Sequence, residues 1–113
     1  MVKQYIPKMG DIVMINFNPT KGHEQQGYIP AIVISNDVFN TYTKMAMVCP
    51  ISSNIKDFPT HYKLENSKKI EGSVFTGHIR SIDFTERKIK FVEKASNNDI
   101  LSVISLLEAC IED

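Results

Sequence analysis

Apolar residues recur in short, β-branched runs along most of this chain, and only near the C-terminus does their spacing lengthen to that of a helix. The run from Ile12 to Phe17 is punctuated by Gly10-Asp11 before it and Asn18-Pro19-Thr20-Lys21-Gly22 after it, which predicts a first strand. A second run, Ala31 to Ser35, starts behind Pro30, where the missing amide donor does least harm, and stops at Asn36-Asp37. Met45 to Ile51 predicts a third strand, with Pro50 marking an edge or a bulge. Weaker alternation over 60–64, 73–76, 79–84 and 88–93 adds short strands at the spacing of a sandwich or barrel. From Asn97 onward, Ile100, Val103, Ile104, Leu107 and Ile111 fall on one helical face, with Ser96 or Asn97 as the cap and Asp99 in the first turn. Leu101 and Leu106 lie off that stripe and are assigned to covering a partner subunit. The pattern predicts a mainly β protein, an antiparallel β-barrel with a C-terminal α-helix.

A chain of 113 residues with 42% hydrophobic composition is long enough for one core, so residues 1–113 are read as a single domain. The apolar runs are far shorter than a membrane span, and the N-terminus carries no apolar signal region, so the expected location is cytoplasmic with no membrane partner. Cys49 and Cys110 stand far apart in apolar stretches and are read as buried free thiols of a reducing compartment. A net charge of zero argues against indiscriminate coating of nucleic acid. All 13 lysines and arginines lie before residue 95, however, while Asp99, Glu108, Glu112 and Asp113 leave the tail purely acidic. An anionic partner is therefore expected on the sheet.

Between the first two strands, Lys21-Gly22-His23-Glu24-Gln25-Gln26-Gly27 gathers a cation, an imidazole, a carboxylate and two amides between glycines. Loops on a rigid scaffold are where function concentrates. His23 is able to exchange a proton near neutrality, the property of a general acid or base, although a lone imidazole in such a loop is also at home simply solvated. A zinc site from His23, His61 and His78 is not expected, because their spacing is irregular and no cysteine lies near. Phe39, Phe58, Tyr42 and Tyr62 read as core or dimer-interface filling.

The order Gly10-Asp11-Ile12-Val13, Phe17-Asn18-Pro19-Thr20-Lys21-Gly22-His23-Glu24-Gln25, Gly27 and Pro30-Ala31-Ile32-Val33-Ile34-Ser35 resembles the MazF/PemK (Kid) toxin family. The likeness continues through Val48-Cys49-Pro50-Ile51, Gly72-Ser73-Val74, Ile79-Arg80-Ser81-Ile82-Asp83 and 87–94. It implies an SH3-like barrel, a homodimer, and cleavage of single-stranded RNA at specific sequences in mRNA, with no metal and no cofactor. It further implies restraint by a MazE-like antitoxin, whose acidic segment occupies the RNA groove and whose complex binds operator DNA.

Carried onto this chain, the family's arginine before the second-strand proline falls on Ile29, and its threonine or serine after the third-strand proline falls on Ser52. Ile29 cannot bind a phosphate, and loss of one preorganised donor costs roughly 10²–10³ in rate. The resemblance thus implies either a weakened endoribonuclease or an inactive relative that only binds antitoxin or RNA. For an active enzyme the expected catalytic set is His23 for proton transfer, Ser52 as a phosphate donor and Arg80 as the replacement cation. The RNA contacts are expected from Phe17, Lys21, Glu24, Gln25, Asn54, Lys56, His61 and His78, with Phe17 equally placed for the core. Gly77 stands where many relatives carry an acid. A gyrase-blocking role of the CcdB type shares the scaffold, but the chain has no tryptophan and lacks that family's aromatic tip.

Overall fold

A computed structural model describes residues 4–17, 27–54 and 58–112. Strands β1 (Asp11–Asn16) and β2 (Tyr28–Val33) are followed by helix α1 (Asp37–Thr43) and the long strand β3 (Met45–Ser52). Then come β4 (His61–Lys63), β5 (Ser73–Phe75), a 3₁₀ turn (Thr76–His78), β6 (Arg80–Asp83), β7 (Ile89–Lys94) and helix α2 (Asn97–Ile111). All pairings are antiparallel, in the order β4-β5-β3-β2-β1-β7, with β6 also on β3. The result is a mainly β, barrel-like fold carrying a C-terminal helix.

Consecutive residues of the inner strands serve different clusters. Ile12, Ile32, Cys49 and Ile51 join Val74 and Val103 in one, while Val13, Ile15, Ala31, Val33 and Val48 join Ile82 and Phe84 in the other. Burial on both faces is why these strands read as continuous apolar runs rather than alternating ones. Each such side chain contributes roughly 1.5–3 kcal/mol when fully buried.

The structure refines several expectations. β2 begins at Tyr28, so Pro30 lies inside it, but the ladder to β3 opens only at Ala31↔Pro50, which leaves Pro30 one side without a strand neighbour. Pro50 is on no edge strand. It stands between the stretch of β3 that pairs with β6, ending at Val48↔Arg80, and the stretch that pairs with β5, starting at Ile51↔Val74, so its missing N–H falls where β3 changes partner.

Helix α1 has no counterpart in the hydrophobic pattern, because its buried residue is polar. Asn40 donates to the Pro7 carbonyl at 2.7 Å and accepts from Ser35 Oγ. The signal was Asn36, which caps the helix by accepting from the Phe39 N–H at 2.8 Å.

Ser96 is the cap of α2, its Oγ accepting from the Asp99 N–H at 3.1 Å. Val103 is buried and Ile100 and Leu107 pack on the first cluster, but Ile111 is 76% exposed because the helix end runs clear of that cluster. The same overrun leaves Cys110 exposed, contrary to the expected pair of buried thiols, while Cys49 is buried and its thiol is pushed up to about 12 by that burial. Tyr42 and Phe58 are exposed, so of the two readings given to them the core one does not describe them. No helix among the described residues is long and apolar enough to cross a membrane.

Candidate functional site

Where β2 begins and β3 ends, the chain forms a groove of about 280 Å³, lined by Ile29, Pro30, Ile51, Ser52, Ser53, Lys69, Ile70 and Glu71. The two positions picked out by resemblance, Ile29 and Ser52, therefore share one cavity. Ser52 Oγ accepts from the Asn54 N–H at 3.1 Å, which uses an acceptor position and leaves the hydroxyl hydrogen as a donor. Ile29 is half-buried and packs against the second core cluster, so the apolar substitution is absorbed by the core as well as by the groove.

Lys69 and Glu71 went unnoticed in the sequence. They reach the groove from the segment between β4 and β5, which two carboxylates of the C-terminal part hold in place. Glu93, on β7, accepts from the backbone N–H groups of Lys68 and Lys69 at 2.9 Å and of Ile70 at 2.8 Å. Asp99, on α2 and fully buried, accepts from the Tyr62 hydroxyl at 2.6 Å and from the N–H groups of Glu65 at 3.3 Å and Asn66 at 3.2 Å. Gly72 then passes so close to β3 that a Cβ there would sit 2.5 Å from the Ser52 carbonyl oxygen, at a φ of +149° that side-chain-bearing residues rarely adopt.

Burial pushes the Glu93 carboxyl up, but the bonds from Lys68, Ile70 and Lys69, with the Lys69 charge, outweigh it and hold the group below its ordinary 4.5. A depressed carboxyl stabilises the fold above its unfolded value and loses that contribution as pH falls through the folded one. Amide exchange at Lys68, Lys69 and Ile70 should therefore be protected at neutral pH, with protection lost only below about pH 4.5. Protection unchanged in Glu93→Ala would contradict this.

Beyond the groove, β5 carries a ladder of rings. Ser73 pairs with Ser52, and two residues on, about 7 Å along the strand, Phe75 stacks on His61 with centroids 3.8 Å apart and planes 4° from parallel. His78 meets Phe75 edge-on at 5.5 Å, and Phe58 lies 5.2 Å from His61. Two of the expected RNA contacts, His61 and His78, are thus brought together around a phenylalanine.

Phe17 is 1% exposed in the second cluster, so the core alternative describes it. Arg80 lies with its guanidinium 5.1 Å from the Phe17 ring centroid and is not among the described residues that line the groove; the cation there is Lys69. Asn54 is exposed at the turn after β3. His23, Lys21, Glu24, Gln25 and Lys56 lie outside the described residues. Among those described, no group of three or more His, Cys, Asp or Glu side chains converges as a metal site would require. A second groove, of about 380 Å³, gathers Arg87, Lys88 and Lys90 beside Tyr5 and Tyr28, three of the chain's 13 cations on one surface.

The same fold recurs among known proteins. Residues 8–111 match the family model of PemK-like, MazF-like toxins of type II toxin–antitoxin systems. The chain is 34% identical over 87 residues to the endoribonuclease toxin MazF of Escherichia coli K12, covering 77% of this chain and 78% of that protein. The crystal structure of MazF from Deinococcus radiodurans superposes with a TM-score of 0.88 at 31% identity, covering 96% of this chain and 98% of the other. A MazE–MazF crystal structure from the same organism gives 0.82 at 27% identity, covering 96% and 97%. With a family match running nearly from end to end and a barrel that superposes on a solved member, the chain belongs to the PemK-like, MazF-like toxins of type II toxin–antitoxin systems.

Proposed function

We propose that this toxin is an endoribonuclease that cleaves single-stranded RNA at specific sequences without a metal ion. The observation that carries the reading is the Ser52 groove, where a hydroxyl donor, an ammonium and a carboxylate line one cavity beside a strand that displays stacked rings. Cleavage by the neighbouring 2′-hydroxyl needs a proton acceptor, a donor to the charged phosphorus centre and a proton for the leaving oxygen, all of which side chains supply. Rings on an exposed face suit splayed bases, as single-stranded RNA presents them. His23 keeps its proposed role in proton transfer, and Lys21, Glu24, Gln25, Asn54 and Lys56 theirs as RNA contacts.

The partners belong to the same reading. A MazE-like antitoxin is proposed to cover the groove, since a solved relative is a MazE–MazF complex, and its complex is proposed to bind operator DNA. A homodimer is supported by Leu101, 67% exposed on α2 beside half-buried Leu106, an apolar face larger than one chain buries.

The test is incubation of the purified protein with a mixed-sequence single-stranded RNA in excess chelator, with sedimentation on the same sample. Cleavage at a restricted set of sites by a dimer is expected. A folded dimer that binds RNA but leaves it intact would instead favour the binding-only reading, to which the aliphatic Ile29 lends support.

A further inference from the structure

The groove beside Ser52 draws its charge from a loop rather than from a strand. Lys69 sits between residues whose amides are all taken by one side chain, the Glu93 carboxylate accepting from Lys68, Lys69 and Ile70 in succession. The Ser67 hydroxyl donates to the Ile70 carbonyl and closes the turn. At the far end Gly72 is pressed against the Ser52 carbonyl. The backbone of Lys69 is thus fixed on both sides, while its side chain remains exposed at the cavity wall.

We propose that Lys69 is the phosphate-binding cation of this groove, with Glu93 as the positioning residue that holds its loop beside Ser52. The choice of ligand rests on the ribonuclease reading; the choice of residue rests on the cavity. Ile29, in the lining of the same groove, has no charge to offer, and the Arg80 guanidinium lies 5.1 Å from the Phe17 ring centroid. The Glu71 carboxylate repels a densely charged ligand, so the groove suits a single phosphodiester, whose one negative charge matches one ammonium. Lysine binds phosphate as a compact point charge, which asks only that its loop be held at the right distance.

The probe is a fluorescent single-stranded RNA bearing 2′-O-methyl groups, which binds but cannot be cleaved, titrated by anisotropy at several salt concentrations. Lys69→Ala should weaken binding about tenfold and reduce the slope of log K against log salt by roughly 0.7, the value for one phosphate contact on a single strand. Lys69→Arg should keep both. Glu93→Gln should weaken binding in the parent yet add nothing once Lys69 is alanine; equal losses in both backgrounds would make Glu93 merely structural and overturn its role. With unmodified RNA, Lys69→Ala should lower kcat/KM by about 10²-fold. A parent that binds and cleaves, with Lys69→Ala unchanged in affinity and salt slope, overturns the Lys69 assignment and leaves the nuclease reading standing. A parent that binds without cleaving ends the nuclease reading, while the salt slope still decides Lys69. Failure of the parent to bind RNA at all overturns both.

Discussion

Ile29→Arg is expected to return about 10²-fold of cleavage to a chain in which Lys69 has been changed to alanine, and less than tenfold to the parent. Both residues line the Ser52 groove, so a guanidinium introduced at Ile29 replaces an ammonium removed at Lys69. Ile29 is half-buried against the second core cluster, and an arginine there is able to lay its stem on that apolar surface and carry only its head into the groove. The planar fork then meets two phosphate oxygens at once. The parent already holds a cation, which is why its gain is smaller. Single-turnover rates on one RNA for the parent, both single variants and the double variant give the answer. A 10²-fold gain in the parent would mean that Lys69 does not reach the phosphate, and no gain in either background would remove this groove from catalysis.

Asp99→Ala should cost about 3–4 kcal/mol and lower Tm by roughly 10–20 °C. The carboxylate is fully buried and accepts from Tyr62, Glu65 and Asn66, so its removal takes the shared acceptor from three donors at once and leaves a void under the segment they belong to. Asp99→Asn should recover part of the loss, because an amide keeps one acceptor but turns a donor towards groups that are themselves donors. Tyr62 reports the same contact. Burial first, and then its bond to Asp99, push the phenol up to about 12 from 10.0. A raised phenol stabilises the fold fully below pH 10.0 and loses that contribution as the pH rises towards 12, so alkaline melting should begin earlier in the alanine variant. Thermal and alkaline melting curves identical to those of the parent would show that the contact is dispensable.

The fold was legible in the sequence because its inner strands are buried on two faces and its final helix on one, and both habits leave traces in the apolar pattern. Helix α1 left none, since the residue it buries is Asn40 and its cap is a single side chain. Ser52 was findable because it follows Pro50 at the end of a recognisable strand. Lys69 and Glu71 were not, because they enter the groove from a segment whose path is set by carboxylates bonded to backbone amides, an arrangement with no signature in hydropathy. Reading Cys110 and Ile111 as buried failed for a related reason: helical spacing tells which face is apolar but not where the supporting sheet ends.

The change of partner along β3 also gives one strand two neighbourhoods. Up to Val48 the strand belongs to the barrel wall; from Ile51 it holds β5 through Ile51↔Val74 and Ser52↔Ser73. The described residues 58–75, which bear Phe58, His61 and Phe75 of the ring ladder and one side of the groove, are held by that short ladder, by two carboxylates and by Leu64 and Val74 in the first core cluster. Exchanging this segment for one with another set of rings therefore requires that buried pair, and the amides bonded to Glu93 and Asp99, to be kept. Under the proposed ribonuclease reading, selectivity among RNA sequences would travel with this segment, and grafting it with those anchors onto a homologous barrel is the direct test.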